Sequence, residues 1–134
     1  MARNRPSTPR LAPSGPAIGA RGEELAGAHL ERLGLRVIAR NVRLGAGEID
    51  LIACDRDTLV FAEVKTARAG GARGAVPLER LEARQRLRLR RTAVRWLAES
   101  PDRPRPRTIR FDAIGVLLDG RGRLVRLEHL EGAF

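Results

Sequence analysis

Apolar residues recur along the first part of the chain with the spacing of a helix. The helical segment begins at Gly19, and its apolar positions are three or four residues apart: Ala26, Leu30 and Leu33. Gly34 is the natural end of this segment. Glu23 lies seven residues before Leu30, so the same spacing places its carboxylate on the apolar face. An acid in the first turn can instead complement the helix dipole, and both interpretations of Glu23 stay open.

The remaining pattern predicts five strands and a second helix. Leu35–Val42, Glu48–Cys54 and Leu59–Thr66 are apolar, with turns at 45–47 and 55–58 between them, and should form an antiparallel meander. A long amphipathic helix follows over 78–99, and then two strands at Thr108–Leu118 and Leu124–Leu127. The order α-β-β-β-α-β-β predicts an α/β domain in which helices flank a central mixed sheet.

The chain is strongly basic, with a formal net charge of +10, so a polyanion is its natural partner. One cysteine, Cys54, excludes an internal disulfide and a multi-cysteine zinc site, and two histidines are too few for a His-based metal centre. Only four residues are aromatic (three Phe and one Trp), which disfavours binding of a single strand on aromatic platforms.

Composition also bounds the organisation of the chain. Residues 1–18 hold four of the eight prolines, lack the apolar core of a secretory signal, and are predicted to be a disordered basic tail. Residues 19–134 are predicted to be a single domain. No segment approaches the roughly 20 apolar residues that span a bilayer. We therefore expect a cytoplasmic protein that binds no membrane.

Lys65 is the only lysine among the 26 basic residues, and the other 25 are arginines. Arginine replaces lysine readily on a surface, but poorly where a compact ammonium on a flexible stem must reach an anion. Lys65 shares a strand face with Glu63, two residues earlier. A surface Glu/Lys pair on an edge strand is the alternative interpretation.

Acidic residues near Lys65 in the predicted sheet indicate a binding site for a cation. Asp50 lies inside the apolar strand Glu48–Cys54, where aspartate is unusual, and Glu48 shares its face. If this strand pairs with the next one, Asp50 comes near Glu63. Converging carboxylates beside a lysine predict a Mg²⁺ or Mn²⁺ site, because these hard cations take oxygen ligands and substrate phosphate.

The second helix carries two adjacent stripes. One is apolar apart from two polar members: Leu81, Gln85, Leu89, Thr92, Ala93 and Trp96. The other is basic: Arg84, Arg88, Arg91 and Arg95. A solvated face is the ordinary outcome for a charged stripe. The absence of acids in this one favours binding of phosphates instead.

These residues resemble a known pattern. Asp50 followed, after twelve residues, by Glu63-Val64-Lys65 resembles the PD-(D/E)xK nuclease superfamily. An ordered set of segments over residues 19–134 resembles the bacterial YraN family, which is similar to archaeal Holliday-junction resolvases: Gly22-Glu23 with Ala26, Arg40-Asn41 with Arg43, Gly47–Ile52, Val60–Lys65, Arg110–Asp112, and His129 with Ala133-Phe134. The ordered set is more specific than the short motif.

The resemblance implies a restriction-endonuclease-like core and a role for each matching residue. Asp50, Glu63 and the Val64 carbonyl would bind the metal, with Glu48 as a candidate additional acid. Lys65 would be the catalytic base or would stabilise charge, and Glu23 and Gln85 would complete the catalytic set. Family members tend to carry Lys-Gln where this chain has Arg84-Gln85, a change that a phosphate contact tolerates.

The function expected from the sequence is a Mg²⁺-dependent endonuclease that hydrolyses phosphodiester bonds in DNA, including branched or damaged DNA. The residues expected to bind the nucleic acid are basic: Arg43, Arg84, Arg88, Arg91 and Arg95. Two alternatives stay open, a non-catalytic nucleic-acid-binding module and an RNA- or ribosome-associated protein. Neither requires inward carboxylates, which repel a phosphate backbone unless a cation bridges them. A homodimer is also left open.

Overall fold

The fold consists of two helices and five strands in the predicted order. The computed structural model describes residues 15–70 and 83–133. Its elements are α1 (Gly15–Arg32), β1 (Arg36–Leu44), β2 (Gly47–Cys54), β3 (Thr58–Arg68), α2 (Ala83–Glu99), β4 (Thr108–Leu118) and β5 (Leu124–Leu130). The α/β class and the α-β-β-β-α-β-β order expected from the sequence are confirmed.

The strands form one mixed sheet in the order β1-β2-β3-β4-β5. The first three strands are the antiparallel meander that the sequence predicts, and β4 and β5 are also antiparallel. The central pair, β3 and β4, is parallel, with Glu63 opposite Ala113 and Lys65 opposite Gly115. A parallel pair needs a crossover connection, and the segment that contains α2 supplies it.

Each helix covers a different part of the sheet. Ala26 and Leu30 of α1 are fully buried against one face: Leu51, Ala53, Val60, Ala62, Ile114, Val116 and Leu118. Leu89 and Ala93 of α2 pack against the other face: Ile49, Ile52, Cys54, Leu59 and Phe61. Successive residues of β3 therefore face α1 and α2 in turn, which is the two-residue period of a strand buried on both faces.

Two glycines allow the helices to approach the strands closely. A Cβ atom on Gly22 of α1 would lie 1.8 Å from the Thr66 Oγ1 atom of β3, and one on Gly47 of β2 would lie 1.8 Å from the Thr92 Oγ1 atom of α2. Neither position has room for a side chain. Gly22 therefore allows the middle of α1 to lie close to the end of β3, and Gly47 allows α2 to lie close to the start of β2.

The alternation of β2 is interrupted at Asp50. Ile49 packs with the α2 side of the sheet and Leu51 with the α1 side, although residues two apart share a face in a regular strand. Opposite this point, Asn41 of β1 has a φ of +49°. Asparagine tolerates this left-handed conformation better than most residues. The chain is thus irregular where it presents the Asp50 carboxylate.

Several predicted boundaries were wrong. α1 begins at Gly15, four residues before the predicted start and inside the predicted tail, and Ile18 packs against the α1 core. Leu33 is 52% exposed, because α1 ends at Arg32 and the turn carries Leu33 away from the apolar face. β5 extends to Leu130. The predicted helix residues 78–82, including Leu81, and the predicted tail residues 1–14 lie outside the described residues.

Neither of the two helices that the structure describes is long and apolar enough to cross a membrane.

Candidate metal centre

Three carboxylates from two elements converge at the start of β2. Glu23 comes from the third turn of α1, and Glu48 and Asp50 come from β2. One oxygen from each carboxylate lies within 4.8 Å of the others. Glu23, which the helical spacing places on the apolar face of α1, therefore lies beside the acids of β2. Glu48 and Asp50 also come together as expected, although the regular alternation of β2 is interrupted at Asp50.

Asp50 is the acid most affected by its surroundings. Burial raises the pKa of Asp50 from an ordinary 3.8 to about 7, and repulsion from Glu63, Glu23 and Glu48 adds to this rise. One contact opposes it: the Val64 backbone N–H donates a 2.7 Å hydrogen bond to the Asp50 Oδ2 atom. The site is therefore one in which a bound cation would restore the charged form of the carboxylate.

Glu23 experiences the same environment from the helix side. Burial raises the pKa of Glu23, and repulsion from Glu48 and Glu63 also raises it. A hydrogen bond from the Asn41 side chain and the charge of Arg40 lower it. Sequence reasoning assigned no role to Asn41, which combines an unusual backbone conformation with this contact. An asparagine at an irregular strand position was the signal available for it.

Glu63 and Lys65 form an ion pair beside the acids. The Lys65 Nζ atom lies 3.1 Å from the Glu63 Oε1 atom, so the shared strand face predicted for them is confirmed. The Glu63 side chain is only 19% exposed and the Lys65 side chain is 35% exposed. Glu63 also repels both Asp50 and Glu23. The single lysine is thus part of the acidic surroundings and is not isolated on the surface.

The arrangement of acids differs from the expected ligand set in one respect. The resemblance pairs Asp50 with Glu63, whereas the tightest set of acids in the described residues joins Asp50 to Glu23 and Glu48, with Glu63 directed to Lys65. Val64 contacts Asp50 through its N–H, and the metal-binding role of its carbonyl stays a prediction. Gln85 lies half-buried near the start of α2, and its catalytic role also stays a prediction.

A groove of about 400 Å³ lies between α2 and the turn that joins β1 to β2. One wall carries all four arginines of the predicted stripe: Arg84, Arg88, Arg91 and Arg95. The opposite wall is formed by residues 44–47, so the groove reaches the residue before Glu48. Arg43, the fifth predicted phosphate contact, has an exposed side chain 3.9 Å from the Glu48 carboxylate.

A second network of titratable residues lies farther along α1. The Asp112 carboxylate is fully buried and accepts hydrogen bonds from Arg110 at 2.8 and 2.9 Å, from His129 at 2.7 Å and from the Gly132 N–H at 3.1 Å. The other nitrogen of the His129 ring is 3.0 Å from a nitrogen of His29 in α1. The network thus connects α1 to β4 and β5. Sequence reasoning placed Asp112 and His129 in the family pattern without a role.

Comparison with known proteins identifies the family. Residues 22–116 match the profile described as Uncharacterised protein family UPF0102. The chain is 47% identical over 117 residues to a UPF0102 protein of Parafrankia sp. (strain EAN1pec), an alignment that covers 87% of this chain and 95% of the relative. It is 50% identical over 117 residues to a UPF0102 protein of Mycobacterium avium (strain 104), covering 86% and 88%.

A relative from a third organism gives a similar result. A UPF0102 protein of Pelotomaculum thermopropionicum (strain DSM 13744 / JCM 10971 / SI) is 43% identical over 117 residues, covering 87% of this chain and 94% of the relative. The profile match covers α1 from Gly22 onward, the acids of β2 and β3, and most of β4. The chain belongs to the UPF0102 family, the YraN family that its ordered motifs resemble.

Proposed function

We propose that this protein is a divalent-metal-dependent nuclease that hydrolyses phosphodiester bonds in DNA. The observation that carries the proposal is the convergence of Glu23, Glu48 and Asp50 on one another within 4.8 Å, beside the Glu63–Lys65 ion pair, in a chain of net charge +10. Converging acids weaken the binding of a polyanion unless a cation lies between the two. A basic protein that only bound nucleic acid would gain nothing from them.

The donor set fits Mg²⁺ or Mn²⁺. Each candidate ligand is a carboxylate oxygen, which these hard cations prefer, and the raised pKa of Asp50 reflects negative charge that a cation would neutralise. Glu23, Glu48 and Asp50 would hold the ion, and Glu63 is close enough to repel Asp50. When bound, such an ion supplies Lewis-acid stabilisation of charge on phosphate oxygens.

The residues of the chain perform distinct tasks around that ion. The Lys65 ammonium, held by Glu63, provides a compact positive charge for the phosphate group under attack. Asn41 and Arg40 hold Glu23 in place. The Val64 N–H orients the Asp50 carboxylate. The arginines of α2 attract the rest of the nucleic acid.

The test is a cleavage assay of the purified full-length chain with Mg²⁺ or Mn²⁺ against linear, nicked, flapped and four-way DNA. Wild type should cleave at least one substrate, and Asp50→Asn should reduce the rate at least about 100-fold. Lys65→Arg should also reduce the rate about 100-fold while DNA affinity barely changes. Asp102→Asn, an exposed acid in the turn after α2, is the matched control and should cleave like wild type.

Two outcomes would contradict the proposal. DNA binding without metal-dependent cleavage of any substrate would favour the non-catalytic binding module. Cleavage that persists at the wild-type rate in Asp50→Asn would place the chemistry, or a contaminating nuclease, outside the acids of β2.

A further inference from the structure

We infer that the groove between α2 and the β1–β2 turn binds an unpaired DNA strand and directs it to the acids of β2. The inference rests on the proposed function for its choice of ligand, and it names the surface and the strand state that the function would use. Three properties of the groove bear on its ligand: the charge of one wall, the apolar side chains in its lining, and the position of one end next to Glu48.

The charged wall is suited to a row of phosphates. Arg84, Arg88, Arg91 and Arg95 recur every three or four residues, so they follow one side of α2 over about 16 Å. Among the described residues, those that line the groove are basic, neutral or apolar. Of the four arginines, Arg95 alone has an ion pair with an acid within the described part of the helix, with Glu99 3.0 Å away. Like charges at this spacing repel one another, and a polyanion removes that cost.

The apolar part of the lining favours an unpaired strand over a duplex. Leu44 and Ala46 of the wall opposite the arginines line the groove together with Leu87 of α2, which is 49% exposed. A duplex turns its bases inward and presents phosphates to a protein surface, so it would leave this apolar area uncovered. An unpaired strand can place sugars and base faces on the aliphatic side chains, and arginine planes can stack on bases. The groove therefore needs no aromatic platform, consistent with the scarcity of aromatics.

The end of the groove determines where the strand goes. Gly47 lines the groove and directly precedes Glu48 of the metal centre. Gly47 also packs without a gap against Thr92 of α2. Gly47 faces α2, whereas the acids include Glu23 of α1, which covers the other face of the sheet. A strand that follows the arginines to the β1–β2 turn would therefore pass around the end of this hairpin to bring a phosphate to the acids. An unpaired segment at a branch or a flap has the required flexibility.

The experiment is a set of binding titrations by fluorescence anisotropy in EDTA, so that it requires no catalysis. The ligands are a labelled single strand and the blunt duplex of the same sequence. Wild type should bind the single strand more tightly. Arg88→Ala/Arg91→Ala should weaken single-strand binding at least tenfold and lower the slope of log affinity against log salt by about 1.4, which is 0.7 per lost contact.

A matched control removes the same two charges elsewhere. Arg56 lies in the turn after β2, and Arg107 directly precedes β4. The turn after β2 is about 25 Å from Gly47, measured along the length of β2. Arg56→Ala/Arg107→Ala should weaken single-strand binding less than threefold. Equal losses in the two double variants would overturn the inference, because they would show a general effect of charge. Tighter wild-type binding of the duplex would overturn the assignment of an unpaired strand.

The result separates this inference from the proposed function. Cleavage by wild type together with unaltered binding by Arg88→Ala/Arg91→Ala would reject the groove and leave the nuclease proposal standing. Groove-dependent binding by a wild type that cleaves no substrate would leave the groove standing and reject the nuclease.

Discussion

At the scale of single residues, the Asp50 carboxyl is in the least favourable electrostatic position among the described acids that show a resolved shift. Burial and three neighbouring acids disfavour its charge, and the Val64 N–H alone stabilises it. A carboxyl whose pKa is raised by folding stabilises the protein while it is protonated, and that contribution is lost as the pH rises through the folded pKa of about 7. Without a cation, ionisation of Asp50 at neutral pH therefore lowers the stability of the folded protein.

Replacing this carboxyl should stabilise the metal-free protein. In EDTA at pH 8, we expect Asp50→Asn to raise the melting temperature by about 5 °C, because the amide oxygen still accepts the Val64 N–H bond and carries no charge. The difference should shrink toward pH 5, where wild type is protonated. Differential scanning calorimetry at pH 8 and pH 5 measures the two melting temperatures and their difference. A variant less stable than wild type at pH 8 would show that Asp50 is better compensated than its neighbours indicate, and Asp102→Asn is the control.

A bound metal ion should reverse the order of the melting temperatures of wild type and Asp50→Asn. If the acids bind Mn²⁺ as proposed, excess Mn²⁺ would stabilise the folded state by an amount that grows with the logarithm of its concentration over its dissociation constant. Only a chain that retains Asp50 would gain the full effect. Wild type should therefore melt above Asp50→Asn in excess Mn²⁺ at pH 8, and below it in EDTA.

At the scale of elements, α1 is held by a polar connection as well as by its apolar face. His29 contacts His129, which in turn contacts the buried Asp112 carboxylate. Since Asp112 accepts the proton on one His129 nitrogen, the other can accept a hydrogen bond from a neutral His29. Burial raises the pKa of the Asp112 carboxyl, but hydrogen bonds from His129, Arg110 and the Gly132 N–H outweigh this effect and lower the pKa below its ordinary value. The connection fixes the helix that carries Glu23.

This connection should make stability depend on pH. Burial lowers the pKa of His29, and the nearby His129 and Arg32 lower it further. His29 therefore contributes stability above its unfolded pKa of about 6.5, and that contribution is lost as the pH falls toward the lower folded value. We expect His29→Gln to flatten the fall in melting temperature between pH 7 and pH 5.

This measurement is best made in the Asp50→Asn variant. In wild type, protonation of Asp50 raises stability as the pH falls and so opposes the effect of His29. Direct NMR titration of His29 checks the cause: a pKa at or above about 6.5 would contradict the prediction.

The elements differ in how far the sequence determines them. The period of two along β2 and β3 predicted both strands and the shared face of Glu63 and Lys65, because alternation depends only on neighbours in the chain. The tight set formed by Glu23, Glu48 and Asp50 was less visible, since it depends on the change of face at Asp50 and on Asn41 across the sheet. The contact of His29 with His129 spans 100 residues, and no local pattern indicates it.

At the scale of the whole molecule, positive charge and the acidic centre act in opposite directions on a phosphate backbone. The net charge of +10 would attract the proposed nucleic acid, while Glu23, Glu48 and Asp50 would repel the phosphate nearest to them. A cation in the centre would remove the repulsion and leave the attraction. Metal and nucleic acid should consequently bind cooperatively.

The cooperativity can be measured in both directions. With Ca²⁺ in place of Mg²⁺ to suppress cleavage, we expect DNA affinity at pH 8 to rise about tenfold, and calorimetry should find Ca²⁺ affinity raised by the same factor when DNA is present. Asp50→Asn should bind DNA more tightly than wild type in EDTA and respond little to Ca²⁺. Equal responses of the two proteins would remove Asp50 from the metal site.

The parallel pairing of β3 and β4 has a consequence for the order of folding. The β1–β2, β2–β3 and β4–β5 pairs join neighbours in the sequence, whereas β3 and β4 meet only when the connection 69–107 has closed. Loop closure of that length costs entropy before any contact rewards it, so this pair should form late. Pulse-labelled hydrogen exchange should show its amides protected after those of the β1–β2 hairpin. Glu63 and Lys65 lie in that pair, so an incompletely folded chain would carry both on an unpaired edge.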